Sequence, residues 1–202
     1  MSNSTLQKSS KLNLLIKIAF LAAFSFLLSL FELPLPFFPP FLKIDLATLP
    51  ALIGSLALGP WAGAVIALLG NLLKILISGS TTGGVGDLVN FLVAATLCVT
   101  AGSIYQAKHG RKGAMLAMLV GVLFMTIIAT LTNYYVMFPL YAKVMGFPLE
   151  AIIASGTALN ANVTSLFTFM ILMIVPFNLL KGAVLMLVTF LLYKKLSPIL
   201  KK

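Results

Sequence analysis

The sequence predicts an all-α integral membrane protein: a single transmembrane domain over residues 1–202, with six transmembrane helices and both termini in the cytoplasm. Composition is the first reason. Of the 202 residues, 60% are hydrophobic and only 9% are charged, whereas a soluble domain carries roughly 25% charged residues. The second reason is that apolar stretches near the roughly 20 residues that cross a bilayer recur along the chain. Lipid is therefore the expected solvent for most of the surface.

The predicted spans follow these apolar stretches. They cover residues 12–31, 46–58, 61–77, 88–106, 114–138 and 161–193. The first stretch has the position of a secretory signal, but it is long and has no small-residue cleavage site before Glu32, which favours a retained helix. The proline-rich segment 33–40 (LPLPFFPP) cannot continue that helix.

Glycine, proline and charge mark the other boundaries. Residues 59–60 (Gly-Pro) predict a tight turn, and residues 78–86 (SGSTTGGVG) predict a flexible glycine-rich loop. A basic loop at 108–113 and a mixed loop at 139–160 separate the last three spans. Pro176 interrupts the last span, so two short helices, and hence seven spans, are the alternative to six.

The distribution of charge decides between these counts. With six spans, ten of the 14 basic residues lie on the side of the termini, while all four acids lie on the other side. The ten are Lys8, Lys11, Lys17, Lys108, Arg111, Lys112, Lys194, Lys195, Lys201 and Lys202. The positive-inside rule places that side in the cytoplasm, and a seventh span would put the C-terminal lysines outside. The net charge of +10 is thus a topology signal rather than a sign of nucleic-acid binding.

Catalytic signatures are absent from the sequence. There is no G-x-x-x-x-G-K-[ST] motif, so ATP hydrolysis by a P-loop is not expected. There is no H-E-x-x-H and no G-x-S-x-G motif. Cys98 and His109 are the only cysteine and histidine, and two such ligands cannot build a zinc site that needs three or four. The sequence therefore predicts neither an enzyme nor a metal protein.

Lys181 is the residue that the six-span topology leaves inside the membrane. A lysine at the centre of a span costs about 2.5–3.5 kcal/mol on insertion scales, and Lys181 is too far from Lys194 to reach the headgroups. Asn178 lies three residues earlier, on the same helical face, beside a proline that loosens the helix. The pattern favours a ligand-facing donor in a water-accessible cavity. The alternative is a structural lysine that pairs with a backbone carbonyl or a buried acid.

Further polar residues accompany it. Asn133 lies in the outer part of the fifth span, beside Tyr134 and Tyr135, which the aromatic belt of the membrane interface explains equally well. Lys74 is interpreted as reaching the headgroups. The first outer loop, 37–50, combines aromatic residues, two charges and three prolines, which make it stiff. Such a loop could cover a flat ring bound in a polar cavity. Alternatively, it could only anchor the protein at the membrane interface.

Six short motifs along the chain point to one known family. They are FPPFLKID at 38–45, ATLPALIG at 47–54, GP at 59–60, NLLK at 71–74, NYY at 133–135 and PFNLLKG at 176–182. Together they resemble the riboflavin-binding S component of energy-coupling factor (ECF) vitamin transporters. The resemblance covers nearly the whole chain, from Leu12 to Tyr193, and it is specific in the first outer loop and in the last motif.

The resemblance implies the S-component fold, whose six helices enclose a vitamin cavity that opens outward. The first outer loop and the loop before the last helix would cap this cavity. The flavin-contacting positions then fall on Asn133, Asn178 and Lys181, and on the first-loop residues Phe41, Lys43, Asp45, Leu46 and Thr48. Amide and ammonium groups suit the polar edge of isoalloxazine, which offers two carbonyl acceptors and one N–H donor. Phe41 would supply an apolar wall, and Asp45 or Thr48 would meet the ribityl hydroxyls.

The resemblance also implies partners. Ala19 and Ala23 have the small-xxx-small spacing that lets another helix approach closely, and in the family this motif contacts the membrane-embedded T component. Two ABC-type ATPase subunits would drive transport, in agreement with the missing P-loop. The chain is thus expected to be a non-enzymatic subunit for ATP-driven riboflavin uptake in the bacterial plasma membrane, with no resident cofactor.

Two alternatives remain open. The first is the same fold for a different vitamin or a flavin analogue, against which Asn178 and Lys181 argue. The second is an intramembrane enzyme or a non-transport membrane assembly factor, which would need a reactive constellation that the sequence does not display.

Overall fold

Helices dominate the computed structural model, which describes residues 3–80, 82–144, 146 and 148–200. The first half contains α1 (Asn3–Ser29), β1 (Leu33–Pro34), β2 (Lys43–Ile44), α2 (Thr48–Leu58), α3 (Pro60–Ser78) and α4 (Val85–Ala107). The second half contains α5 (Arg111–Thr132), the π-helical segment π1 (Asn133–Met137), α6 (Phe138–Val144), α7 (Leu149–Thr157), α8 (Leu166–Phe169), the π-helical segment π2 (Met170–Ile174) and α9 (Val175–Leu200).

Five helical stretches of the described chain are long and apolar enough to cross a membrane. They cover residues 11–29, 60–78, 85–107, 111–143 and 166–193. The stretch predicted as the second span, 46–58, contains helix α2, but its 11 residues extend only about 16 Å, roughly half of a hydrocarbon core, so the count of six spans stays a prediction. The α2 residues from Leu49 to Leu56 are all buried, so neighbouring helices shield this short helix.

The membrane orientation remains a prediction. It rests in part on Lys201 and Lys202, which lie outside the described residues. The lipid-facing surface itself is clear, because large apolar side chains such as Phe20 and Leu76 are 69% and 80% exposed. Such a surface is compatible with lipid rather than with water.

Pro176 does not divide the last span in two. The helix runs on through α8, π2 and α9, and π2 lies directly before Val175 and Pro176. Proline lacks a backbone N–H and clashes with the preceding turn of an α-helix. The wider π turn accommodates that defect, so the chain keeps one continuous span.

One end of each long helix lies on the same side of the bundle, next to the corresponding ends of its neighbours. Helix α3 packs against α1, α2 and α4, and α5 packs against α4 and α9, while α2 contacts all of α1, α3, α4 and α9. Because successive helices reverse direction, the ends of α1, α3 and α5 meet the starts of α2 and α4 and the π2–α9 region. We call this side of the bundle the cavity end.

Small residues permit the close packing on which helix association in lipid depends. A Cβ atom added to Gly70 of α3 would lie 2.6 Å from Oγ of Ser25 in α1, so these two helices approach closely only with glycine there. The Ser25 hydroxyl donates a hydrogen bond of 2.6 Å to the carbonyl of Ala47. This bond ties α1 to the segment that enters α2.

The first outer loop contains a short hairpin that the sequence analysis did not predict. Strands β1 and β2 pair antiparallel, with Leu33 opposite Ile44 and Pro34 opposite Lys43. The hairpin folds the aromatic residues between its strands back over the cavity end. It then delivers Asp45 to the interior of the bundle.

Candidate substrate-binding cavity

A cavity of about 550 Å³ opens at the cavity end, within the roughly 300–1,000 Å³ range of small-molecule sites. Side chains from α1, α3, α4, α5 and α9 line it, together with the first outer loop and the segment 137–141. It therefore collects polar residues that are as much as 156 positions apart in the sequence, from Ser25 to Lys181.

Aromatic side chains form one wall of the cavity. Phe41, from the first outer loop, stacks on Phe169 with ring centroids 6.3 Å apart and meets the edge of Phe138 at the same distance. Phe38 of the loop packs edge to face against Phe177 of α9, with centroids 5.4 Å apart. Edge-to-face and stacked aromatic pairs are mutually attractive, so these contacts hold the loop against the helices.

Lys181 lines the cavity and also forms an ion pair. Its Nζ lies 2.8 Å from Oδ2 of Asp45, and the two side chains are 16% and 21% exposed. The backbone N–H of Ala47 donates to the other carboxylate oxygen at 2.9 Å. Burial raises the pKa of the Asp45 carboxyl, but the Lys181 ammonium and the Ala47 N–H more than offset burial, so this pKa lies below its ordinary value. The carboxylate therefore stays ionised at neutral pH.

This pair bears on both interpretations of Lys181. The buried acid that a structural role requires is present, and the cavity lining that a ligand-binding role requires is present as well. An ammonium group has three N–H donors. A single contact with Asp45 therefore leaves donors for a ligand, and the two roles are compatible.

A second ionic cluster joins α1, the loop and α3. The carboxylate of Glu32 bridges two lysines, with one oxygen 3.1 Å from Lys43 Nζ and the other 2.8 Å from Lys74 Nζ. Partial burial raises the pKa of Glu32, but the hydrogen bonds and charges of Lys74 and Lys43 outweigh it and hold this pKa below its ordinary value. The interpretation that Lys74 reaches the headgroups is wrong, because its side chain lines the cavity and pairs with Glu32.

Two asparagines, one in π1 and one in α9, are each hydrogen-bonded to a backbone carbonyl of the preceding helical turn. The Asn133 amide donates to the carbonyl of Ala129 at 2.7 Å, and the Asn178 amide donates to the carbonyl of Ile174 at 2.9 Å. Each amide uses one donor locally, which fixes the side chain against the cavity wall. Both asparagines line the cavity, and their remaining donor and acceptor capacity is available to a ligand.

The start of α4 adds a polar group that the sequence analysis missed. The hydroxyls of Ser80 and Thr82 accept hydrogen bonds from the N–H groups of Gly84 and Gly86, at 2.8 and 3.0 Å. Ser80 also donates to the carboxylate of Asp87, which is buried and lines the cavity. The loop that the sequence predicts to be flexible is thus hydrogen-bonded to the helix that follows it.

Most of the predicted site residues meet at this cavity. The seven that line it are Phe41, Lys43, Asp45, Thr48, Asn133, Asn178 and Lys181. Leu46 is not among the lining residues, because its side chain packs against the hydrophobic core around α2. Ala19 and Ala23 are not among the lining residues, and both are exposed on α1.

Glu32, Asn71, Lys74 and Asp87 were the functional candidates that sequence reasoning missed. The available signal was weak: Asn71 and Lys74 share a helix face at i, i+3, and Asp87 follows the glycine-rich loop in the first turn of α4. The structure connects these positions, because the Asn71 amide donates to the Asp87 carbonyl at 2.6 Å.

Residues 13–193 match the family model described as "ECF transporter, substrate-specific component". The chain belongs to this family. Membership makes this S component a substrate-binding, non-catalytic subunit, and its apolar helices make it a multi-pass membrane protein.

Proteins of known name and structure resemble this S component over most of their length. The riboflavin transporter RibU of Staphylococcus aureus is 35% identical over 93% of this chain and 92% of its own. The riboflavin transporter FmnP of Bacillus subtilis is 31% identical over 93% and 94%, respectively. A solved structure described as the S component of a bacterial ECF transporter is 32% identical, with a TM-score of 0.72, over 95% of this chain and 99% of that one.

Proposed function

We propose that this chain is the riboflavin-binding subunit of an ECF transporter in the bacterial plasma membrane. The observation that carries the proposal is the convergence of Asn133, Asn178 and Lys181 on one cavity with an aromatic wall. The two relatives described above are named as riboflavin transporters and are aligned with the chain over nearly its whole length. The same family membership supports a substrate-binding role rather than catalysis.

The chemistry of the lining suits a flavin. The polar edge of isoalloxazine presents two carbonyl acceptors on either side of an N–H donor. Lys181 can donate to a carbonyl while it retains Asp45, and each asparagine can both donate and accept. The apolar part of the ring would lie against Phe41, and the ribityl hydroxyls would find polar partners among the charged and amide groups of α3 and α4.

Uptake would require partner subunits. We propose a membrane T component that packs on the α1 face of Ala19 and Ala23, where small residues permit close helix approach. Two ABC-type ATPase subunits would supply the energy. With the termini in the cytoplasm, as the charge distribution predicts, the cavity end would lie on the outer side of the membrane and the vitamin would enter from outside.

A binding titration tests the proposal directly. Riboflavin fluorescence is measured while purified full-length protein in detergent is added, and one-to-one quenching is expected at micromolar concentrations or below. Thiamine and biotin, added in excess, serve as competitors and should not displace the flavin. Absence of quenching at micromolar riboflavin would contradict the assignment, and displacement by another vitamin would point to a different substrate.

A further inference from the structure

The ionisable side chains of the cavity balance one another. Three carboxylates and three ammonium groups line it: Glu32, Asp45, Asp87, Lys43, Lys74 and Lys181. Their formal charges therefore cancel at neutral pH. An arginine, which would offer a bidentate contact to phosphate, is not found among the lining residues that the structure describes.

Each of the three lysines in the lining is already in contact with a carboxylate. Lys181 contacts Asp45 at 2.8 Å, while Lys43 and Lys74 share Glu32 at 3.1 and 2.8 Å. Glu32 thus engages two cations with one side chain. An incoming anion would have to compete with this carboxylate for both of them.

Glu32 and the two asparagines enter the cavity from different elements. Glu32 follows α1 and Lys74 belongs to α3, which packs against α1, α2 and α4, whereas the asparagines belong to π1 and to α9, which packs against α2 and α5. If the polar edge of the flavin lies at the asparagines, the part of the cavity that Glu32 and Lys74 line is left for the flavin's flexible tail. A phosphate at the end of that tail would carry about −1.5 to −2 charges at neutral pH.

We propose that Glu32 is a specificity-determining residue that makes the cavity select neutral riboflavin over flavin mononucleotide, an inference that rests on the proposed riboflavin function. Its carboxylate neutralises Lys43 and Lys74, which would otherwise bind a phosphate. It also repels the negative charge of a phosphate, as the carboxylate of Asp87 does. Hydroxyl groups of an uncharged tail can join the same hydrogen-bond network without separating any ion pair.

The test is the ratio of the two dissociation constants, for flavin mononucleotide and for riboflavin, measured by fluorescence titration of the full-length protein in detergent at pH 8. Glu32→Gln keeps the size of the side chain and frees two ammonium groups. A hydrogen bond to a charged partner corresponds to a factor of about ten or more in affinity. The ratio should therefore fall at least about tenfold, mainly through tighter binding of the phosphorylated flavin.

Two matched variants show whether the ratio depends on the negative charge at position 32 or on the net charge of the protein. Glu150→Gln removes the same group from an exposed position in α7, outside the cavity lining, and should leave the ratio unchanged. Glu32→Asp keeps the negative charge and should keep the ratio close to that of the wild type. An equal shift in Glu150→Gln, or an unchanged ratio in Glu32→Gln, would overturn the proposal.

The outcomes also distinguish this inference from the function on which it rests. A wild-type protein that binds no riboflavin contradicts the proposed function. A wild type that binds riboflavin, with a ratio that Glu32→Gln does not change, contradicts only the role of Glu32. Should Glu32→Gln fail to fold, Lys74→Gln provides the opposite perturbation: it leaves an excess of carboxylate and should raise the ratio, and an unchanged ratio would again overturn the proposal.

Discussion

Replacement of Lys181 by methionine probes the ion pair and the ligand site at once. Methionine keeps most of the length of the side chain but removes the ammonium group, which leaves the Asp45 carboxylate without its cation. Breaking a buried pair from one side costs about 3–5 kcal/mol. Because the two side chains retain 16% and 21% exposure, we expect a smaller loss, about 2–3 kcal/mol of unfolding free energy, seen as a fall of several degrees in Tm.

The same substitution should weaken riboflavin binding. A hydrogen bond from a charged donor contributes about 1.5–3 kcal/mol, which corresponds to roughly 10- to 150-fold in Kd. Thermal unfolding and flavin titration on the same detergent preparation measure both effects. A variant that binds riboflavin as tightly as the wild type would remove Lys181 from the site.

The double variant Lys181→Met/Asp45→Asn separates the two roles. It removes the uncompensated carboxylate, so most of the lost stability should return, while the lost donor should still weaken binding. Recovery of wild-type affinity in the double variant would mean that Lys181 acts on the ligand only through the fold. If Lys181→Met alone melts no lower than the wild type, the reasoning about the ion pair is refuted.

Three further predictions concern other parts of the molecule. Ala19→Leu or Ala23→Leu should impair riboflavin uptake by cells while the purified protein still binds flavin, and normal uptake would remove this face from the proposed interface. Gly70→Leu should lower Tm by forcing α1 from α3, whereas an unchanged Tm would contradict the close packing. The carboxyl pKa values of Glu32 and Asp45 lie below their ordinary values of 4.5 and 3.8, so their stabilising contribution is complete above those values and lost as pH falls through the lowered ones. Tm should therefore be level from pH 7 to about 5 and fall below about pH 4; a Tm that begins to fall near pH 6 would point to other groups.

The sequence was sufficient for the long apolar helices because lipid imposes a simple requirement, although the short helices α6 and α7 occupy the segment that it predicts as a mixed loop. A span must be apolar over its length and must satisfy its own backbone hydrogen bonds, so hydropathy located five long helices and the short helix α2. The spacing of Asn178 and Lys181 was sufficient to predict that both side chains face the same way, since residues three apart share a helix face. The family motifs then connected them with Asn133 and the first outer loop.

The ionic pairs could not be predicted in the same way. The pairing of Glu32 with Lys74 joins residues 42 positions apart, and that of Asp45 with Lys181 joins residues 136 apart. Such contacts depend on how helices pack, which no local pattern records. The hairpin could not be predicted either, because its strands have only two residues each, and β1 includes a proline, so they carry no alternation of polar and apolar residues to detect.

The two π-helical segments make the site depend on how its helices are wound as well as on the identity of its residues. Asn133 is the first residue of π1, and Asn178 donates to Ile174, the last residue of π2. A π turn holds one residue more than the α-helix it interrupts, and one residue corresponds to a rotation of about 100° around the helix axis. If residues 170–174 were wound as an ordinary α-helix with no residue removed, Asn178 and Lys181 would rotate together by about that angle away from the cavity. Riboflavin binding would then be lost even though every polar side chain was retained.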